Sequence, residues 1–356
     1  MTLFQPRVGP IMLETTDYEP NTDRSVPCGD GAGAAIAARA LRRSFKGEIE
    51  AVREIDLTVC RGEVFGFLGP NGAGKTTTVR MFCTLLPPTS GTATVAGLDV
   101  VRDAAKVRRR IGVALQEIGL DPVQTGRELL ELQCGLYSIT GERARSRTAE
   151  LLDLVGLTDA ADRRTKTYSG GMKRRLDLAS ALVHSPEVLF LDEPTTGLDP
   201  ASRLTIWDEV RRINAGGATV FLTTQYLEEA DKMCDRLAII DNGRIVAEGT
   251  PAQLKAEMGH DVVSVSVGGA EVAATEIAMA GLAGLERVVA EPDGLALYVE
   301  DGASSIPEVV RRLERQGIRA AAISVAQPTL DDVFLKATGR RLEGQDAEQP
   351  GAGVSA

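Results

Sequence analysis

Gly69-Pro70-Asn71-Gly72-Ala73-Gly74-Lys75-Thr76-Thr77 fits the pattern G-x-x-x-x-G-K-S/T, and its setting fits as well. The apolar run Val64-Phe65-Gly66-Phe67-Leu68 reads as a buried strand leading into it. Beyond it, Val79 to Leu86 reads as a helix that stops at Pro87-Pro88. Strand, glycine-rich turn and helix together form the context in which such a loop holds a polyphosphate. The glycines let successive backbone N–H groups turn inward into an anion nest. The helix N-terminus adds unpaired donors and its dipole. Lys75 brings a point charge for the β- and γ-phosphates, and Thr76 a hydroxyl for the magnesium ion that accompanies them. A glycine-rich turn that binds nothing would leave that lysine and hydroxyl unexplained. The stretch reads as a nucleoside-triphosphate site.

Downstream segments supply matching parts. Val188-Leu189-Phe190-Leu191-Asp192-Glu193-Pro194 is an apolar strand ending in two carboxylates. Asp192 at the strand tip is placed to hold magnesium, and Glu193 to polarise the attacking water as general base. An ordinary acidic turn is the alternative. Arg108 to Gln116 reads as a helix end followed by a strand, and Gln116, at the strand's carboxyl edge, can touch a metal-bound water. Tyr168-Ser169-Gly170-Gly171-Met172 opens a long helix, either as a second anion site or as a plain N-cap with glycines. Phe45, upstream of the phosphate loop, is either core or a platform for an adenine face. His184 and Trp207 read as structural.

At 356 residues the chain exceeds one compact core, so two domains are expected. The formal charge of −10 argues against a protein whose main task is to hold DNA or RNA, because phosphate backbones demand a basic footprint. Five scattered cysteines without a C-x-x-C pair read as reduced thiols, and two histidines are too few for a histidine metal centre. No segment approaches the roughly 20 apolar residues of a membrane-spanning helix, and no secretory signal is evident at the N-terminus. Any membrane passage would belong to another chain.

Residues 1–35 and 339–356 have the composition of disordered extensions. Residues 36–258 carry every motif above, with a mostly helical insert at about 117–185 that includes helical spacing over 125–138 and 142–155. Past His260 the pattern changes. Strands at 261–267, 285–290, 295–299 and 318–325 alternate with helices at 270–280 and 305–316. That order, β-α-β-β-α-β, is the ferredoxin-like pattern for a second domain at 261–338.

The phosphate loop, Gln116, Ser169-Gly170-Gly171, Asp192-Glu193-Pro194 and Gly197-Leu198-Asp199 occur in a fixed order. That order resembles the nucleotide-binding subunit of an ATP-binding-cassette (ABC) transporter over residues 36 to 258. The resemblance implies an α/β fold of the P-loop NTPase type with a helical subdomain, followed here by the small α+β domain. It also implies a head-to-tail homodimer, with each ATP between Lys75 and Thr76 of one chain and Ser169 and Gly171 of the other, near Asp199. Two motifs depart from the family pattern. Met172 stands where glutamine is common, after Tyr168 in place of leucine, and Gln225 stands where histidine is common. An amide hydrogen-bonds a γ-phosphate but cannot become cationic, which leaves Glu193 as the stronger base.

Thr223-Thr224-Gln225-Tyr226-Leu227-Glu228-Glu229-Ala230-Asp231 and Leu330-Asp331-Asp332-Val333-Phe334-Leu335 are similar to the daunorubicin-resistance type of drug-export ATPase. This implies a separate integral-membrane permease as partner, a peripheral location on the cytoplasmic face of a bacterial membrane, and export of a hydrophobic small molecule. The segment Glu117 to Pro122 would receive a permease helix. The competing expectation is a cytosolic ABC ATPase acting on ribosomes or in cofactor assembly.

Overall fold

The structure, a computed structural model, describes residues 33–340 apart from 48, 118, 260, 269–270 and 292–293. It opens on two long antiparallel strands, β1 (Ala34–Phe45) and β2 (Ile49–Cys60). Next come β3 (Val64–Leu68) and, beyond the phosphate loop, α1 (Lys75–Phe82). β4 (Ser90–Val95) and β5 (Leu98–Asp99) complete an antiparallel sheet of order β2-β1-β4-β5. After α2 (Ala104–Arg108) and β6 (Ile111–Ala114), the chain becomes helical through α3 (Gly126–Leu136), α4 (Gly141–Leu154) and α5 (Gly170–Ala181). It then alternates through β7 (Val188–Asp192), α6 (Pro200–Ala215), β8 (Thr219–Thr224), α7 (Leu227–Met233) and β9 (Arg236–Asp241). A hairpin leads to β10 (Arg244–Gly249) and the short α8 (Pro251–Ala256).

Every residue of β3, β7 and β8 is buried. Strands apolar on both faces need cover on both faces, the situation of a parallel sheet. They form the middle of a six-stranded sheet of order β10-β9-β3-β8-β7-β6, parallel except for β10. On one face, Phe65, Phe67, Phe82, Phe190 and Phe221 pack with ring centroids 5.6 to 6.2 Å apart, beneath the antiparallel sheet. Each such pair adds about 0.5–1.5 kcal/mol beyond its area burial. On the other face, Leu189, Leu191, Leu222 and Ile239 share a core with the helical stretch and α6. The strand order brings the carboxyl ends of β3, β8, β7 and β6 side by side, so the segments that leave them meet at one edge.

The second domain contains β11 (Asp261–Ser266), α9 (Val272–Met279), β12 (Leu285–Glu291), β13 (Gly294–Val299), α10 (Gly302–Arg315) and β14 (Ala322–Ala326). The antiparallel order β12-β13-β11-β14 is the ferredoxin-like arrangement, with its own apolar core. α10 starts earlier than its pattern predicts because Asp301 caps it, accepting the Ser304 N–H at 2.9 Å, and Pro307 falls inside the helix.

The last helix, α11 (Leu330–Thr338), leaves this sheet. Leu330, Val333 and the fully buried Phe334 enter the core of the first domain, where α11 packs on α7, α8 and β10. Lys336 Nζ donates to the Glu257 carbonyl at 3.0 Å, and Arg340 pairs with Asp241 at 2.5 Å. A capping box between Thr329 and Asp332 starts the helix.

Some expectations shift. α1 ends at Phe82 instead of Leu86 because Thr84 takes a left-handed φ of 62°, and the Leu85 and Leu86 N–H groups both turn back to the Arg80 carbonyl. Strand β1 begins at Ala34 and the described residues run to Gly339 and Arg340, within the stretches expected to be disordered extensions; residues 1–32 and 341–356 lie outside the described ones. Cys83, Cys134 and Cys234 are free and buried, and Cys28 lies outside the described residues.

Candidate nucleotide site

The phosphate loop bends as its glycines allow. Gly74 has φ of 109°, and a Cβ there would lie 2.4 Å from the Ala51 carbonyl oxygen. At Gly69 a Cβ would meet the Ile240 carbonyl at 2.3 Å, so strand β9 crowds the loop where it leaves β3. Between these points Pro70, Asn71, Gly72 and Ala73 form the arch, with Asn71 and Gly72 exposed. Lys75, Thr76 and Thr77 open α1, whose first N–H groups have no intrahelical partners.

Lys75 is almost entirely buried and curls back over the loop. Its Nζ donates to the Gly69 carbonyl at 2.6 Å and the Pro70 carbonyl at 3.1 Å, and lies 3.2 Å from Glu193 Oε1. Burial lowers its pKa, opposed by the carboxylates of Glu193 and Asp192. An ammonium buried in this way gains strongly from added anionic oxygens.

Asp192 and Glu193 sit at the tip of β7 in different roles. Asp192 Oδ1 accepts from Thr223 at 2.6 Å and from Thr76 Oγ1 at 3.2 Å. Its other oxygen, Oδ2, is buried with no hydrogen-bond partner. A buried carboxylate oxygen left free beside a threonine hydroxyl fits a hard divalent cation, which takes oxygen ligands only. Glu193 is held with φ of 50°, a left-handed conformation that costs a non-glycine residue about 1–2 kcal/mol. Its N–H is pinned by the Thr223 side chain at 3.0 Å and the Thr223 carbonyl at 3.1 Å. Its carboxylate accepts from Gln116 at 3.4 Å and Thr196 at 3.3 Å besides pairing with Lys75. Strain held at a carboxylate beside a phosphate loop belongs to a working residue more than to a structural one.

Gln116 therefore reaches the acidic pair, although β6 ends two residues earlier, at Ala114. Gln225 follows β8 half-buried, next to Thr224. Phe45 is 40% exposed at the end of β1, with the Arg43 guanidinium 4.8 Å above its ring, so it is not core. Trp207 is buried, and His184 stacks on Tyr137 at 3.9 Å while bonding the Ile111 carbonyl.

The second glycine-rich segment is built differently. Ser169 caps α5 by accepting the Met172 N–H at 3.2 Å, and Ser169 and Gly170 are exposed. Gly171 packs against Ser202 of α6, where a Cβ would meet the hydroxyl at 2.8 Å. Asp199 caps α6 next to it, accepting from the Ser202 N–H at 3.0 Å. None of the bonds made by Ser169 or Asp199 reaches Lys75, Asp192 or Glu193.

Comparison with known proteins meets this geometry. Residues 52–196 match the ABC transporter family, and residues 249–338 match the C-terminal domain of DrrA1-3-like ATP-binding proteins. The daunorubicin resistance ATP-binding protein DrrA2 of Streptomyces coeruleorubidus is 48% identical over 89% of this chain and 99% of its own length. The chain belongs to the ABC transporter ATP-binding proteins. As a member of that family it is an ATPase whose hydrolysis powers transport, and its fold is the family's fold. The daunorubicin/doxorubicin resistance ATP-binding protein DrrA of Streptomyces peucetius is 44% identical over 88% of this chain and 96% of its own. Among solved structures, a dimeric ATP-binding cassette in a post-hydrolysis state with ADP and Pi superposes with a TM-score of 0.55 at 26% identity, covering 60% of this chain and 98% of that one.

Three residues in this ABC ATPase have parts that the sequence reading did not assign. Thr223 bridges Asp192 and the Glu193 backbone. Glu229 is a buried carboxylate that accepts from Thr195 at 3.0 Å, Trp207 at 3.0 Å and Thr224 at 2.5 Å, tying the chain after Glu193 to the chain before Gln225. Burial raises its pKa against those three hydrogen bonds. Arg174 is the third. Thr223 and Glu229 stand in a stretch whose family likeness is visible in the sequence, but their burial is not.

Proposed function

We propose that two copies of this chain bind and hydrolyse Mg-ATP at a head-to-tail interface and thereby drive export of a hydrophobic small molecule, a drug or antibiotic, through a separate integral-membrane permease. One observation carries the reading. Lys75, Asp192 and Glu193 gather round the first loop, while Ser169 and Gly170 are exposed and Ser169, the cap of α5, is bonded to none of the three. Each chain thus offers two half-sites, and a triphosphate that repels itself needs donors on both sides.

In this reading the loop amides and Lys75 bind the β- and γ-phosphates, and Phe45 offers its open face to the adenine. Thr76 and Asp192, with Gln116 behind them, would hold magnesium, whose charge offsets that developing on the phosphates. Phosphate oxygens competing for Lys75 loosen its pair with Glu193, which then takes the proton of the attacking water. Gln225 hydrogen-bonds the γ-phosphate. Ser169, Gly170 and Gly171 of the second copy, with Asp199 beside them, close the site, and loss of the γ-phosphate removes what held the copies together.

The permease reading is supported by a groove of about 370 Å³ between the parallel sheet and the helical stretch, lined by residues that include Leu85, Ile111, Tyr137 and Asp177. Leu85 in its wall is exposed, as are Leu132 and Leu136, the chain neighbours of its lining residues Gln133 and Tyr137. Among the described residues no helix is long and apolar enough to cross a membrane. The net charge of −10 speaks against nucleic acid as the partner. The protein would work at the cytoplasmic face of a bacterial membrane. The non-transport alternative has no counterpart in the two resistance proteins described above.

Purification of the tagged chain from its native membranes tests this. A multispanning membrane protein should come with it and be lost when Leu132 and Leu136 are changed to Asp. Recovery of the chain with ribosomes and no membrane protein would overturn the transport reading.

A further inference from the structure

The β6–β7 ladder ends at the pair Ala114 and Leu191. The next residues, Leu115 and Asp192, carry the chain directly into Gln116 and Glu193, yet no ladder bond joins them. Arg174, one turn into α5, spans that gap. Its Nη1 donates to the Leu115 carbonyl at 2.5 Å, Nη2 to the Asp192 carbonyl at 3.0 Å and Nε to the Pro194 carbonyl at 2.9 Å. The carboxylate of Asp177, one turn further along α5, holds Nη1 at 3.4 Å and lines the groove described above. A guanidinium 4% exposed is costly to bury, and here its planar fork is matched by three carbonyls and a carboxylate.

We propose that Arg174 is a positioning residue for hydrolysis, setting the spacing between Gln116 and Glu193 from the helix that begins at Ser169, with Asp177 orienting it from the groove side. Arg174 touches neither a phosphate-binding group nor a carboxylate of the acidic pair; it acts through the backbone on either side of Glu193. The helix that presents Ser169 to a second copy is thereby fastened to the segments that carry the base. The Asp177 contact makes the groove wall part of the same unit; that last link rests on the permease reading, whereas the positioning role does not.

The test uses the full chain with Arg174→Lys, which keeps the charge and loses the fork, and Arg174→Met, which keeps neither. Asp177→Asn is the third variant. Three readouts are compared: Mg-ATP affinity, single-turnover cleavage of bound ATP, and backbone hydrogen exchange. Arg174→Lys should bind ATP within about threefold of wild type while cleaving it about 10–10²-fold more slowly, the scale expected when a catalytic group moves by about 1 Å. Exchange should quicken over 115–117 and 193–196 and stay unchanged over 69–77. Arg174→Met should be at least as slow, and Asp177→Asn should fall between wild type and Arg174→Lys.

Cleavage by Arg174→Lys within twofold of wild type would overturn the proposal. So would a matched loss of ATP affinity with quickened exchange over 69–77, since that marks a general packing role. Wild-type behaviour of Asp177→Asn in every readout would remove Asp177 from it. Should the wild-type chain bind ATP without cleaving it unaided, autonomous turnover falls and the exchange comparison alone decides on Arg174.

Discussion

The two glycine-rich segments of this protein look alike in sequence and differ in everything around them. The first, Gly69 to Thr77, is walled by strand ends; its lysine is buried, and its carboxylates come from the tip of β7, which β8 separates from β3. The second, Ser169 to Gly171, starts a helix at the surface and has no catalytic group bonded to it. A backbone nest is cheap to form at any helix N-terminus. What sets the first apart is that the parallel sheet and α1 bring the Thr76 and Thr223 hydroxyls to Asp192, and Thr223 to the Glu193 N–H. In the head-to-tail reading proposed above, the second is finished on one side only, and the two segments are unlike halves of one pocket.

Substitutions at the two segments should separate these roles. Glu193→Gln should keep ATP binding and slow turnover by roughly 10²–10⁴-fold, the range for losing a general base. Ser169→Arg should slow turnover comparably but leave the affinity of the isolated chain for ATP unchanged. Equal loss of ATP affinity in both variants, measured by equilibrium binding at low protein concentration, would erase the distinction between the halves.

A smaller effect separates the supports behind each half. The first segment rests on a sheet braced by α11, so Phe334→Ala should destabilise the nucleotide-binding part by about 3–5 kcal/mol, as for other buried phenylalanines. Thermal unfolding followed with and without ATP would register it. An unchanged melting temperature would mean that α11 contributes little to that core.

The smallest concerns the second segment's support. Glu209 on α6 is buried, and desolvation pushes its pKa from 4.5 up to about 7 despite the attraction of Arg175 on α5 and of Arg212. Between about pH 4.5 and 7 the folded chain holds a proton that the unfolded chain has lost. Stability from this group therefore falls as pH rises through that window. Glu209→Gln removes the titration, so its melting temperature relative to wild type should climb by a few degrees from pH 5 to pH 8. A constant difference across that range would show that Glu209 does not titrate there.

Much of the first half was legible because its chemistry is local. Glycines, a lysine and a hydroxyl at fixed spacing, or an apolar run ending in Asp192-Glu193, state their geometry within ten residues. Arg174 was not legible for the opposite reason. It lies in Lys173-Arg174-Arg175, three cations that composition cannot tell apart, and only the fold buries the middle one. A signal was present: position 174 shares a helix face with Leu178 and Ala181, both buried. Glu229 was hidden similarly beside the exposed Glu228. The ferredoxin-like order could be read from alternation, but the destination of α11 could not. An amphipathic helix announces an apolar face and not the surface that covers it.

The central claim, that one molecule finishes the pocket its twin begins, is tested most directly by mixing two inactive variants. Glu193→Gln chains retain Ser169, and Ser169→Arg chains retain Glu193. In a head-to-tail pair of one each, a single pocket has both. Equal mixing should restore about a quarter of wild-type ATP turnover, since half of the pairs are mixed and each has one working pocket. Turnover no higher than that of either variant alone, with mixed pairs demonstrated, would contradict the claim.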